Sequence, residues 1–147
     1  MNHYVRPAKT SDSSAIAKIL SDWIDETPWM PRIHTREEDQ QFGGLLIEKT
    51  KVKVVEHQKR IDGFIALQEQ TIQALYVHEE FRVIGVGSAL LNSLKNENSK
   101  LDLWTFQQNT QAREFYAKHG FSEKECTDGA GNDEKLPDVR LCWRAIG

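Results

Sequence analysis

The chain has 147 residues and a formal net charge of -3 at pH 7. This length suits one domain with a proper core and is too short for two, so we expect a single domain over residues 1–147. The slightly acidic balance argues against a nucleic-acid partner, and no apolar run reaches the roughly 18 residues of a membrane span. The polar first residues lack a signal-peptide core, which predicts a cytoplasmic protein.

The first part of the chain predicts a short strand and a helix. Residues 4–6 have the pattern of a strand, and Pro7 ends it. Apolar residues at helical spacing follow, with Ser11 or Asp12 as the cap of that helix. Two prolines within residues 27–31 then break the helix, because a proline disfavours helix in the residue before it.

A second helix and three strands come next. Thr35 and Glu38 form a capping-box pattern for a helix that runs through about residue 46. A glycine pair inside this segment weakens the helix prediction. Alternating and apolar segments then predict three strands, at 51–55, 61–67 and 71–77.

Two glycines begin the helix that follows the strand at 71–77, within the sequence RVIGVGS of residues 82–88. A helix start exposes unpaired backbone N–H groups and the positive end of the helix dipole. Without side chains, Gly85 and Gly87 would let a bulky anion approach that backbone, so we expect a pyrophosphate there, beside the charge of Arg82. A glycine pair alone is more typical of a tight turn with close packing, so the rest of the chain decides.

The second half of the chain completes an alternating pattern. Strands are predicted at 101–106, 121–127 and 139–144, and a helix at 109–119. The loop over 127–138, between the last two strands, is long and acidic. The order β-α-α-β-β-β-α-β-α-β-β predicts an α/β fold, a mixed sheet of about seven strands with helices on both faces.

Cys126 and Cys142 fall in the last two predicted strands. Neighbouring strands could bring them together, but a cytosolic chain rarely keeps a disulfide, so two buried thiols are the favoured interpretation. No spacing of cysteine and histidine is typical of a metal site, and we expect no metal.

Two motifs at the expected separation resemble the GNAT N-acetyltransferase superfamily. The pattern R-x-x-G-x-G at residues 82–87 matches that family's pyrophosphate loop. The pattern N-x-x-A-x-x-F-Y-x-x-x-G-F at residues 109–121 matches its second cofactor-side motif. Residues 60–126 carry most of the resemblance, and the rest of the chain is compatible in length and order.

The resemblance implies acetyl-CoA as the acetyl donor, a primary amine as the acceptor, and direct transfer in a ternary complex without an acyl-enzyme. It implies that the phosphates bind Arg82 and the amides of the helix start. The pantetheine arm would pair with the edge of the fourth strand, and an N–H of this segment would face the developing oxyanion. The residues assigned to the donor in this way are Leu75, Tyr76, Val77, Arg82, Val83, Gly85, Val86, Gly87 and Ser88.

Two residues of the second motif receive roles by resemblance. Asn109 contacts the pantetheine arm, or it only caps the helix, since the position suits both. Tyr116 lines the cofactor site and is the predicted general acid. A phenol with a pKa of about 10 can protonate a thiolate whose thiol has a pKa of about 8.5. The alternative for Tyr116 is a core tyrosine, which is the usual meaning of a tyrosine at helical spacing.

The general base stays open at this point. An alkylammonium must lose a proton before it attacks, and a carboxylate or an imidazole could take that proton. Glu79 and His78 follow the fourth predicted strand. Glu26 lies at the end of the first predicted helix, and His34 lies just before the second. Glu79 and Glu26 are the predicted catalytic carboxylates, with a chain of water molecules as an equal alternative.

Two acidic segments suggest the nature of the acceptor. Residues 22–39 and 123–138 each contain six acidic and two basic side chains, a formal charge of -4 each. In folds of this resemblance both segments flank the acceptor mouth, which favours a small cationic amine, and Trp29, Met30 and Pro31 add apolar surface. The charges could equally be solvated surface.

Two other functions remain in competition with a small-molecule acetyltransferase. The first is a protein or peptide acetyltransferase that acts on lysine or on an N-terminus. The second is a non-catalytic acyl-CoA sensor, which the presence of both Tyr116 and Asn109 disfavours. Homodimers are common among proteins of this resemblance, and nothing in the chain itself indicates one.

Overall fold

The computed structural model describes residues 3–81 and 84–146. The strands and helices follow the predicted order, and the α/β fold with a mixed sheet is confirmed. Within the described residues the elements are β1 (Tyr4–Pro7), α1 (Ser13–Glu26), α2 (Arg36–Lys49), β2 (Lys51–His57), β3 (Arg60–Gln68), β4 (Thr71–Val77), α3 (Val86–Lys95), β5 (Lys100–Phe106), α4 (Thr110–Lys118), β6 (Ser122–Thr127) and β7 (Asp138–Arg144).

The described strands form one seven-stranded sheet in the order β1-β2-β3-β4-β5-β7-β6. Every neighbouring pair is antiparallel except β4 and β5, which are parallel. The parallel ladder joins Thr71 to Asp102 and Ile72 to Leu103, at the start of β4. On its other side, β4 stays paired with β3 as far as Val77. The sheet therefore opens between the second halves of β4 and β5.

Helices cover both faces of the sheet, as predicted. One core lies under α3 and α4, where Leu90, Leu91 and Leu94 are completely buried. The other core lies under α1 and α2 and contains Ile16 and Phe64. Burying a leucine side chain stabilises a fold by about 1.5–3 kcal/mol, so these residues fix α3, and hence its first turn, against β4.

The start of α2 and its glycine pair are both explained by local contacts. Thr35 Oγ1 accepts the N–H of Glu38 at 3.1 Å, and Glu38 Oε1 accepts the N–H of Thr35 at 3.0 Å. This capping box confirms the prediction. A Cβ on Gly43 would lie 2.7 Å from the backbone oxygen of Ser13, so α1 and α2 cross too closely for any larger residue there.

Asp12 occupies the predicted N-cap position of α1, but its side chain makes no capping hydrogen bond to that helix. Its carboxylate accepts the N–H of Lys9 at 2.7 Å and pairs with Arg6 at 2.8 Å, so it holds the 3-10 turn before α1. The predicted burial of both cysteines is wrong. The cysteines are free thiols, but Cys126 is exposed and Cys142 half-buried. They lie opposite Val139 and Ser122, because β6 is an edge strand whose residues face solvent.

Among the described residues, no helix is long and apolar enough to cross a membrane. In the same part of the chain, no three His, Cys, Asp or Glu side chains are grouped in a way that could hold a metal ion.

Candidate active site

A channel of about 190 Å³ opens where β4 and β5 diverge. We call it the central channel. It passes between the two faces of the sheet, since Tyr76 packs with the core under α1 and α2, and Tyr116 belongs to the core under α3 and α4. Six of the residues predicted to bind the donor line this channel: Leu75, Tyr76, Val77, Gly87, Asn109 and Tyr116.

The two glycines at the start of α3 have different structural roles. Gly85 has φ 91°, a left-handed conformation that side chains rarely adopt, so it makes the turn into the helix. Gly87 lines the central channel, and a Cβ there would lie 3.4 Å from the ring of Phe115. The tight turn and the close approach therefore belong to separate residues. Arg82 and Val83, also predicted at this loop, lie outside the described residues.

Tyr116 combines burial with a free hydroxyl. Its side chain is 5% exposed, and its ring packs on Phe115 and Phe121 with centroid separations of 5.2 Å each. Burial, together with the nearby Tyr76, raises the pKa of Tyr116 well above that of an ordinary phenol. The hydroxyl has no hydrogen-bond partner among the described residues, although the ring lines the channel. It is thus a protonated donor available to a ligand.

Asn109 does cap α4, and the cap leaves part of its side chain available. Its Oδ1 accepts the N–H of Ala112 at 3.1 Å. The amide nitrogen makes no hydrogen bond to any described residue, and Asn109 also lines the central channel. The two interpretations of this position are compatible, because the cap uses the oxygen and leaves the N–H groups for a ligand.

The predicted catalytic carboxylates lie beside the channel and outside it. Glu26, at the end of α1, and Glu79, after β4, line one depression of about 470 Å³. This depression meets the channel at Trp23 and Asn109, which border both. The alternative His78 is held in its own turn, where its Nδ1 accepts the N–H of Glu80 at 3.2 Å.

A larger groove of about 510 Å³ lies on the α1 and α2 face of the sheet. Tyr76 borders both this groove and the central channel. We call this groove of about 510 Å³ the open groove and define it by six of the residues that line it. Phe42, Leu45 and Trp104 are 43%, 47% and 44% exposed, unusually open for large apolar side chains. The other three defining residues are Tyr76, Asp133 and Glu134. Further residues that line the groove are Met30, His34 and Phe106.

Both acidic segments contribute side chains to the open groove, but their ion pairing differs. In the segment 22–39, Asp25 pairs with Arg32 and Arg36, and Asp39 pairs with Arg32 at 2.8 Å. Asp22 likewise pairs with Lys18 and Arg36, so all three aspartates of this segment are in ion pairs, although its net charge stays negative. Asp133 and Glu134 have no ion pair among the described residues.

The loop that carries Asp133 and Glu134 is held by hydrogen bonds at its base. Asn132 Nδ2 donates to the backbone oxygen of Leu136 at 2.8 Å and to Asp138 Oδ2 at 3.1 Å, and Thr127 donates to the other oxygen of Asp138. Burial, together with Glu134, raises the pKa of Tyr76 to about 12. This loop therefore adds the negative charge of Asp133 and Glu134 to a groove that Glu38 and Asp39 also line.

Sequence reasoning missed the apolar wall of the open groove. Phe42 and Leu45 are apolar residues of a predicted helix, and Trp104 is an apolar residue of a predicted strand. The sequence therefore predicts that all three side chains are buried. The two acidic segments and Met30 were the sequence signals that pointed to this region.

The model of the GNAT acetyltransferase domain family matches residues 48–123, just over half of the chain. The chain therefore belongs to this family, and the resemblance carried by the two motifs is confirmed. It is an acetyl-CoA-dependent N-acetyltransferase, as the motifs implied.

Individual relatives with known names or structures have low sequence identity to this chain. The peptidyl-lysine N-acetyltransferase YiaC of Escherichia coli (strain K12) is 24% identical over 97% of each chain. A GCN5-related N-acetyltransferase structure from Rhodopseudomonas palustris superposes with a TM-score of 0.82 at 20% identity, over 99% of this chain and 97% of that one. The structure of yncA from Salmonella typhimurium with its cofactor acetyl-CoA gives 0.75 at 17% identity, over 100% and 96%. These structural likenesses show a common fold.

Proposed function

We propose that this protein transfers the acetyl group of acetyl-CoA to the primary amine of a small cationic molecule, by direct attack in a ternary complex. The observation that carries the proposal is the meeting of the central channel and the open groove at Tyr76. A thioester in the channel and an amine in the groove would face each other through the gap in the sheet. Holding both reactants in contact is the main requirement of a direct transfer.

The donor would run along the second half of β4. Beyond Ile72, β5 no longer pairs with this strand, so its edge faces the channel and can pair with the amide-rich pantetheine arm. Asn109 would donate its amide N–H groups to the same arm. The diphosphate would lie at the first turn of α3, on the amides that follow Gly85, with Arg82 as a charged partner.

Tyr116 would protonate the departing thiolate of coenzyme A. Its hydroxyl makes no hydrogen bond among the described residues, and Tyr116 lines the channel. Burial raises the pKa of Tyr116, but it would equally raise the pKa of a thiol formed beside it, since both anions lose water. The proton therefore keeps a nearly balanced path from oxygen to sulfur.

The amine would lose its proton towards the depression beside the channel. Glu26 and Glu79 line this depression together, and both are exposed. Neither borders the channel itself, so a carboxylate would act through a water molecule. We therefore propose Glu79 and Glu26 as alternative termini of one proton path.

Charge and apolar surface at the open groove favour an amphipathic cation as acceptor. Asp133 and Glu134 supply negative charge without any ion-pair partner among the described residues, and Phe42, Leu45 and Trp104 supply apolar surface. A second candidate acceptor is a peptidyl lysine, which the similarity to YiaC favours. Such an acceptor would also use the open side of the groove.

The test is release of coenzyme A thiol from acetyl-CoA with two matched panels, one of small amines and one of lysine and N-terminal peptides. Turnover on small cationic amines that is lost in Tyr116→Phe would support the proposal. Turnover on lysine peptides alone would replace the acceptor with a protein. No turnover on either panel, with acetyl-CoA bound in calorimetry, would contradict both acceptors.

A further inference from the structure

His119 makes a contact that the proposed chemistry does not use. It follows α4, and its Nε2 lies 3.0 Å from the hydroxyl of Ser88 in the first turn of α3. Ser88 is therefore at the helix start where the diphosphate of the donor is proposed to bind. His119 itself does not line the central channel.

The position of His119 is fixed on several sides. Lys95, in the last turn of α3, donates from Nζ to the backbone oxygen of His119. The ring of Phe115 lies 4.6 Å from the imidazole, centroid to centroid. The N–H of His119 also bonds to the backbone oxygens of Phe115 and Tyr116. An imidazole held in this way can set the orientation of a neighbouring hydroxyl.

The protonation of His119 limits the ways in which the pair can bond. Burial, with a smaller effect of Lys95, lowers the pKa of His119, so the ring is neutral at pH 7. A neutral imidazole has one N–H, and Nε2 either donates to Ser88 or accepts from it. If Nε2 accepts, the only proton of the hydroxyl is used within the protein. If Nε2 donates, the hydroxyl keeps its proton for another acceptor.

We propose that His119 is a positioning residue for the donor: its Nε2–H donates to Ser88 Oγ and so directs the hydroxyl proton of Ser88 to the diphosphate of acetyl-CoA. This inference rests on the proposed placement of the diphosphate at the first turn of α3. It adds a side-chain donor to the backbone amides there, and it connects the end of α4 to donor affinity.

The experiment is a double-mutant cycle on the dissociation constant of acetyl-CoA, measured by calorimetry, which needs no acceptor. Ser88→Ala should weaken binding about tenfold, the value of one hydrogen bond to a charged group. His119→Leu should weaken binding by a similar factor. The double variant should bind no more weakly than Ser88→Ala alone, because the two residues act through one hydrogen bond.

A conservative variant separates positioning from packing. Glutamine can place an amide N–H close to the site of Nε2, so His119→Gln should bind acetyl-CoA within about twofold of the wild type. His119→Asn is too short to reach Ser88 and should behave like the leucine variant, which gives a second test if His119→Leu does not fold. His57→Leu, the same change on an exposed hairpin residue, is the matched control.

The outcomes distinguish this inference from the function on which it rests. An unchanged dissociation constant in Ser88→Ala would show that its hydroxyl does not contact the diphosphate and would overturn this inference, while the backbone amides would remain the proposed site. No binding of acetyl-CoA to the wild type would contradict the donor placement itself. Weaker binding in Ser88→Ala with unchanged binding in His119→Leu and His119→Asn would overturn the role of His119 alone. If His119→Leu weakens acetyl-CoA binding by the same factor in the Ser88→Ala background as in the wild type, His119 acts through packing and not through Ser88. This result would also overturn the proposal.

Discussion

Tyr76 of β4 and Tyr116 of α4 line the central channel from opposite faces of the sheet. Each is buried enough for its pKa to rise, and the proximity of Tyr76 adds to the effect on Tyr116. Two neutral phenols therefore border the place where the reactants would meet. Tyr76 also faces the open groove, whereas Tyr116 faces the channel alone, which gives the pair different roles.

Replacing Tyr116 by phenylalanine tests the general acid. We expect kcat to fall by roughly 10²-fold, within the usual range for loss of a general acid, while the KM for acetyl-CoA and the melting temperature change little. The ring keeps its packing on Phe115 and Phe121, so only the hydroxyl is lost. Steady-state kinetics and thermal unfolding of the same samples provide both numbers.

Tyr4→Phe is the matched control for this variant, because Tyr4 is 62% exposed on β1. It should keep the kcat of the wild type. Full activity in Tyr116→Phe would remove the general-acid role, and Tyr116 would then be a core residue.

The two glycines at the start of α3 should respond differently to alanine. Gly87→Ala adds a methyl group to the channel wall, 3.4 Å from the ring of Phe115. The methyl group should keep the diphosphate from one backbone amide. Because a hydrogen bond to a charged group is then lost, the KM for acetyl-CoA should rise by roughly tenfold. Its melting temperature should not fall, because alanine favours helix over glycine.

Gly85→Ala is the opposite case, since φ 91° strains any side chain at this position. The left-handed conformation costs alanine about 1–2 kcal/mol, which should lower the melting temperature by roughly 3–6 °C. Equal losses of stability in the two variants would show that both glycines serve the turn and its packing. In that case neither would serve the approach of a ligand.

The sequence was sufficient for the element order and for the family, because both depend on short-range patterns. The spacing from Gly85 to Gly87 and from Asn109 to Tyr116 is local, and the structure brings Gly87, Asn109 and Tyr116 to one channel. The apolar wall of the open groove could not be predicted, since Trp104 and Glu134 meet there only through long-range packing.

Composition also gave no information about ion pairing. The sum over residues 22–39 is -4, and the structure adds that Arg32 and Arg36 pair with the aspartates of the same segment. A count of charges contains no information about which side chains pair. For the same reason the exposure of Cys126 was missed, because it depends on β7 lying between β5 and β6.

Removing the charge of the loop tests the acceptor side. The double change Asp133→Asn and Glu134→Gln should raise the KM for a cationic amine by roughly tenfold, since charges at an open site each contribute about 1 kcal/mol or less. The KM for acetyl-CoA should stay the same, because the donor lies in the channel. Raised salt should weaken binding of the amine to the wild type more than to this variant.

Glu48→Gln, an exposed carboxylate on α2 that does not line the groove, serves as the matched control and should leave both KM values unchanged. Unaltered amine kinetics in the double variant would show that the loop carboxylates are solvated surface. The acceptor would then be recognised by the apolar wall alone.

Alkaline pH should destabilise the fold through Tyr76. Its pKa is raised to about 12 by burial, above the value of about 10 for an exposed phenol. Stability from the neutral phenol is complete below pH 10 and is lost as the pH rises from about 10 to 12, because the unfolded chain releases this proton first. Melting temperatures between pH 8 and 12 should therefore fall less steeply for Tyr76→Phe than for the wild type. Tyr4→Phe should follow the wild type, and identical slopes in all three proteins would show that Tyr76 keeps contact with water in the folded state.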